Sequence, residues 1–187
     1  MSNVQKPVIR EIGDGDCDDI CRLNNAENSP MSKNDPRHPY NAAARLIEES
    51  HDPQSKGRGW FAVAGGKIAG IITTENFGGG IIVDPEFRGQ GIAGHLIRAR
   101  EDFLRAQGQT TTQVHILAGN TASIHAFTKA GYAFDKKSAD TLAAHGGDRA
   151  QVPQNTVLVM ERSLGAPASS APRQSPRKAA PATPKTP

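Results

Sequence analysis

The stretch Val83-Asp84-Pro85-Glu86-Phe87-Arg88-Gly89-Gln90-Gly91-Ile92-Ala93-Gly94 sets several small residues at the start of a long amphipathic helical pattern. The first turn of a helix carries N–H groups without an intrahelical partner and the positive end of the peptide dipoles, so a phosphate can approach closely where side chains are small. A phosphorylated ligand is the chemistry to which this segment points, against the plainer reading of a Gly-rich turn. Gly89, Gly91 and Gly94 also satisfy the dinucleotide spacing G-x-G-x-x-G. In that fold, however, the first glycine follows its strand at once, and an acid stands about twenty residues on at a strand end. Here Asp84 to Arg88 intervene, and the strand around Val114 to Leu117 ends without an acid. A Walker loop needs Lys and then Ser or Thr after its last glycine, where this chain has His95 and Leu96.

The elements that must hold this segment follow from periodicity. Pro7 to Ile12 alternates as a short strand, and Asp14 to Asp19 offers N-caps for a helix with Cys17, Ile20, Cys21 and Leu23 on one face. Asn28 to Pro39 is rich in Asn, Asp, Ser and Pro and is expected as a loop before a helix over Asn41 to Ser50. Trp60 to Ala64 and Lys67 to Thr74 flank Gly65-Gly66 as a hairpin. A third strand, Phe77 to Val83, is interrupted by Gly78, Gly79 and Gly80, the mark of a bulge or of a close approach. A helix then runs from Gly89 to about Gln107 on a stripe of Ile92, Leu96, Ala99, Phe103 and Leu104. Val114 to Leu117 is a strand, Asn120 caps a helix to Ala130, Tyr132 to Lys136 is a strand, Ala139 to Asn155 a long loop, and Thr156 to Arg162 the last strand. The order β α α β β β α β α β β predicts an α+β (α/β) chain: a mixed, mostly antiparallel twisted sheet with a central βαβ unit and helices on both faces.

Composition narrows the class. The formal net charge is +3, and Arg173, Arg177, Lys178 and Lys185 supply four cations after Leu164 with no acid among them. That Ala-, Pro-, Ser- and Thr-rich segment cannot bury enough apolar area to offset its ordering entropy, so residues 165–187 are expected as a disordered basic tail behind one domain over 1–164. Four spaced cations without a stacking aromatic would hold nucleic acid weakly at most. Residues 1–8 show no basic start followed by an apolar run, and no stretch approaches the ~20 apolar residues of a membrane span. Cys17 and Cys21 stand one helical turn apart with no His or second Cys pair nearby, which suggests neither a disulfide framework nor a metal site and fits a cytoplasmic chain.

Arg88-x-x-Gly91-x-Ala93, preceded by an apolar strand and Val83-Asp84-Pro85, resembles the Gln/Arg-x-x-Gly-x-Gly/Ala signature of the GNAT acetyltransferase superfamily. Downstream, the run from Asn120 through Ser123, Ile124, Phe127, Lys129 and Gly131 to Tyr132 is similar to the Asn-x-x-Ala/Ser-Ile…Lys-x-Gly-Phe/Tyr helix of that family. The resemblance covers about Pro7 to Arg162 in topology and Ile81 to Phe134 in residue detail. It implies acetyl-CoA as cosubstrate and transfer of its acetyl group to an amine-bearing small molecule or protein, by direct attack in a ternary complex. The diphosphate would rest on the amides of Arg88, Gly89, Gln90, Gly91, Ile92, Ala93 and Gly94, and the pantetheine arm would lie along Ile81, Ile82 and Val83. Asn120 would be cap and pantetheine contact together, or a cap alone. No membrane is implied, and a homodimer is left open.

A protonated amine needs a base, and a departing thiolate an acid. The family supplies an oxyanion donor from a backbone N–H near Val83 and often an acid from a Tyr seven positions after the Asn; here that position is Phe127. His115 lies five residues before Asn120, where some protein-acetylating members carry Glu, and imidazole titrates near neutral pH. Strand alternation sets it on one face with Gln113 and Leu117, opposite Val114 and Ile116. Glu75 is a second candidate base acting through water, while His125 falls off the Ile124/Phe127/Thr128 face and reads as a solvent-facing helix residue. A CoA-binding domain without turnover and a tail-tethered nucleic-acid protein are the competing readings.

Overall fold

The computed structural model describes residues 6–25, 35, 38–52, 54–74 and 80–165. The chain runs β1 (Val8–Glu11), α1 (Cys17–Leu23), α2 (Pro39–His51), β2 (Gly59–Ala64), β3 (Lys67–Thr73), β4 (Ile81–Val83), α3 (Ile92–Ala106), β5 (Thr111–Leu117), α4 (Thr121–Lys129), β6 (Ala133–Phe134), α5 (Lys136–Ala144) and β7 (Val157–Ser163), with 3-10 turns at Pro85–Phe87 and Arg149–Gln151. The strands form two sheets, β1-β2-β3-β4 and β5-β7-β6, in which neighbours pair antiparallel. β4 and β5, on either side of α3, are not hydrogen-bonded to each other, so the central βαβ unit bridges the sheets and the expected mixed sheet is divided at that point.

Period-two alternation decides which side chains meet which helices. Trp60, Ala62 and Ile72 face α3 and join Ile92, Leu96 and Ile97, together with Val114, Ile116, Ile124, Phe127 and Met160 from the second half of the chain. Phe61 and Ile71, on the other face of the first sheet, pack against Ile20 and Cys21 of α1 and Ala43 and Leu46 of α2. Each fully buried side chain of this size is worth about 1.5–3 kcal/mol relative to exposure. Burial also pushes the Cys21 thiol up to about 12, with Cys17 adding to the shift, so Cys21 rests as a thiol; both cysteines are free.

Buried polar ties fix the position of α3. Arg100 is fully buried and donates from Nη2 to the Tyr132 hydroxyl at 2.9 Å, and Glu101 accepts from Nη1 of Arg162 at 2.7 and 2.9 Å. Pairing of this kind is what allows charge to stay inside. Gly70 lets β4 come close: a Cβ there would stand 2.7 Å from the Ile82 carbonyl oxygen and 3.3 Å from Cδ1 of Leu96.

The structure corrects the stretch after α4. The strand expected over Tyr132 to Lys136 is only Ala133–Phe134, and the long loop expected over Ala139 to Asn155 begins instead inside α5, Lys136–Ala144. The Asp135 side chain accepts from the Ser138 N–H at 2.8 Å, a helix cap that ends the strand, and Lys136 pairs with Asp140 one turn on. In α5's first turn the Ser138 hydroxyl takes the Val159 N–H at 2.8 Å, where β6 would otherwise have continued pairing with β7. Among the described residues no helix is long and apolar enough to cross a membrane.

Candidate active site

Leaving β4, the chain makes a 3-10 turn that Asp84 caps by accepting from the Glu86 N–H at 3.1 Å. Arg22 of α1 grips the same carboxylate at 2.8 Å and reaches the Ile68 carbonyl at 3.2 Å, so α1 is tied to the root of the Gly-rich segment. These hydrogen bonds, from Arg22 first and then from the Glu86 amide, hold the Asp84 carboxyl below its usual range. Gly89 and Gly91 then take φ of 77° and 79°, a left-handed conformation that a side chain disfavours, and Gly91 is the N-cap of α3. The Gly94 and His95 N–H groups both bond to the Gly91 carbonyl, at 3.0 and 3.4 Å, so the amides ahead of them at Ile92 and Ala93 are the ones that the helix start leaves without an intrahelical partner. The helix starts at Ile92, not at the Gly89 expected from the sequence.

These elements enclose one wall of a cavity of about 440 Å³. Ile81 to Val83, Arg88 and Gly89, Gly91 to Ala93 and Asn120 all line it; Gln90 and Gly94 do not. The opposite wall is α4, whose Ala122, Ser123, His125 and Ala126 the sequence reading did not assign to the cleft, and Phe87 adds an apolar corner. The signal for the α4 wall was the spacing of small residues one turn past Asn120. His125 is solvent-exposed as expected, yet it also borders the cavity.

Asn120 caps α4 by accepting from the Ser123 N–H at 3.1 Å, which commits its oxygen and leaves its amide N–H groups for a ligand. Arg88 donates from Nε to the Val83 carbonyl at 3.3 Å, which holds its guanidinium over the end of β4. β4 is the last strand of its sheet, so its outer edge offers backbone groups to an extended ligand.

The residues proposed for proton transfer are not gathered in this cavity. His115 is exposed on the outer face of β5, paired across to Val159, with Val114 and Ile116 buried on the face toward α3 and α4. It lies near the start of α5: the Asp135 carboxyl is held below its usual range by Ser138 first, with a smaller contribution from His115. Glu75 lies outside the described residues. Phe127 is buried at 1% exposure, edge-on to Tyr132 with ring centroids 5.0 Å apart and with the Arg100 guanidinium 5.4 Å from its own centroid. It fills the core and presents no acid to the cleft.

The sequence matches the profile of the Acetyltransferase (GNAT) family over residues 20–132. No curated protein matches it in sequence. Among solved structures it is similar to the ribosomal-protein-S18-alanine N-acetyltransferase of Escherichia coli, with TM-score 0.56 and 14% identity over 88% of this chain and 97% of that one. It is also similar to a ribosomal-protein-alanine N-acetyltransferase from Brucella melitensis, with TM-score 0.59 and 18% identity over 83% and 99%. For a spermidine N-acetyltransferase from Vibrio cholerae the values are 0.58 and 18%, over 85% and 94%. At these identities the likeness is one of fold.

Proposed function

The chain belongs to the GNAT acetyltransferase family, and on that premise we propose that it is an N-acetyltransferase that moves an acetyl group from acetyl-CoA to a primary amine of a small molecule or protein. The observation that carries the reading is the cavity between β4, the first turn of α3 and α4, because its chemistry suits CoA along its length. Unpartnered amides and small residues at Gly89 to Ala93 fit a diphosphate. The free edge of β4 fits the amide-bearing pantetheine arm, and the Asn120 amide fits a carbonyl on that arm.

In the proposed reaction the free amine attacks the thioester carbonyl of acetyl-CoA in a ternary complex. A backbone N–H near Val83 stabilises the oxyanion that develops, and collapse forms the amide and expels CoA thiolate. The amine proton goes to His115, which the open face of β5 exposes to an acceptor arriving from that side, or through water to Glu75. With Phe127 buried and lacking a hydroxyl, the thiolate takes its proton from water.

The test is release of free thiol from acetyl-CoA against a panel of primary amines: peptide N-termini, a lysine peptide, polyamines and aminoglycosides. Thiol release matched by acetylated product supports transfer. Tight CoA binding with no release for any amine would instead identify a CoA-binding domain without turnover, the second reading that Phe127 favours. We propose further that this domain spans 1–164 and that 165–187 is an appendage. Leu164 supports that boundary: it is buried, its N–H donates to the Thr110 carbonyl at 2.8 Å, and its carbonyl accepts from Arg105 at 3.1 Å. The two free thiols fit work in a reducing, cytoplasmic compartment.

A further inference from the structure

The diphosphate accounts for only part of the charge on CoA. The ribose carries a separate 3′-phosphate, and a ligand with its diphosphate at Gly89 to Ala93 and its pantetheine arm along β4 must set that ribose at the outer rim of the cavity. The rim on the side of α4 is basic. Thr121, His125 and Lys129 recur at i, i+4 and i+8, so they lie on one face of the helix, spanning about 12 Å along its axis. His125 and Lys129 are exposed, and His125 borders the cavity across from Arg88 and Gly89. At the head of the same row Arg149 reaches α4, its Nη2 donating to Thr121 Oγ1 at 3.2 Å.

Nothing acidic offsets this row from within the helix, since α4 contains no Asp or Glu. The nearest carboxylate in sequence to Arg149, Asp148, is engaged in accepting the Ala150 N–H at 2.9 Å. Two basic side chains along one helix face, with Arg149 reaching its first turn from outside the helix, beside a cavity already suited to a phosphoester, exceed what packing requires of exposed positions.

Resting on the reading of the cavity as a CoA site, we propose that His125 and Lys129 recognise the ribose 3′-phosphate, with Arg149 adding positive potential at the helix start. The pair makes the enzyme selective for CoA over dephospho-CoA through charge-assisted hydrogen bonds to that one group. Arg88, by contrast, serves the diphosphate that both ligands share.

Calorimetric titration of the full chain with CoA and with dephospho-CoA tests this. The parent should prefer CoA by about tenfold, the usual size of a partly exposed charged hydrogen bond. A His125→Gln/Lys129→Gln double variant should lose that preference by binding CoA more weakly while holding dephospho-CoA as before. Arg88→Gln should weaken both ligands alike. Because all three positions are exposed, an unchanged melting temperature is the expected check on folding. Equal affinity of the parent for the two ligands overturns the assignment, as does a double variant that loses both equally. A parent that binds neither ligand overturns the reading of the cavity itself.

Discussion

The two sheets are finished differently. The first, β1 to β4, is covered on both faces: α3 lies over Trp60 and Ile72, while α1 and α2 lie over Phe61 and Ile71. The second, β5-β7-β6, is covered on the face of Val114, Ile116 and Met160, whereas its other face carries Leu117 at 49% and Val157 at 55% exposure beside His115. The covered sheet anchors the phosphate-suited cavity through β4, and the open one has a strand face that no helix among the described residues covers. A donor that is the same at every turnover suits a rigid, fully packed frame. An acceptor that differs from one relative to another suits a surface that the core does not need.

If that division is right, the largest effect on folding should fall on the covered sheet. Phe61→Ala removes a wholly buried ring between β2 and helices α1 and α2, and should lower stability by about 3–5 kcal/mol in denaturant titration. A loss below about 1 kcal/mol would mean that those helices do not clamp this face.

Next in size is the cavity proposed for the donor. Gly91→Glu should weaken CoA binding by roughly a hundredfold or more, because it sets a carboxylate at the helix start that is suited to a phosphate. Gly91→Ala carries the same strain at φ 79° without the charge and should lose less than about tenfold. Equal losses for the two variants would assign the effect to backbone strain.

On the open sheet, His115→Gln should lower kcat/KM by roughly 10² while CoA affinity stays close to that of the parent. A gain in the variant's rate at high pH, where the acceptor is already deprotonated, would strengthen the role of base. Full activity across the pH range would move that role to Glu75.

Smaller still is the contribution of Asp16, which belongs to the covering of the first sheet. Arg10 grips its carboxylate at 2.7 and 2.8 Å and the Gly13 N–H donates to it at 2.8 Å, and the hydrogen bonds from Arg10 chiefly hold the carboxyl below its usual range. A carboxyl lowered in the folded state stabilises the fold above its unfolded pKa, and that contribution fades as pH falls through the folded one. Thermal melts should therefore show the parent losing its advantage over Asp16→Asn as the pH is taken below about 4. A difference that is the same at pH 3 and pH 7 would show that the charge on Asp16 plays no part. The least effect is expected on the open face, where Val157→Thr should change stability by no more than about 0.5 kcal/mol.

Several parts of the fold and of the candidate site were legible because their causes lie within a few residues of each other. Gly65-Gly66 closes the β2–β3 hairpin, Asn120 caps α4, and Gly89 and Gly91 adopt the left-handed turns that only glycine takes readily. Alternation along β5 put His115 opposite Val114 and Ile116 without any knowledge of what lay above them. One local signal was present and passed over: Asp135, three residues before Ser138 and followed by good helix formers, marks the start of α5, but reading the strand through to Lys136 hid it.

By itself, then, the sequence determined the order of the elements apart from α5, the anion-suited start of α3 and the β2–β3 hairpin, since propensity, capping and glycine conformation act between near neighbours. Tertiary structure alone decided that β4 and β5 part into two sheets, that Phe127 turns into the core beneath Arg100, and that His125 comes to the rim of the cavity. Each of those depends on which surfaces meet across distant parts of the chain, and a helix face with small or ambivalent residues carries no local mark of what will pack against it.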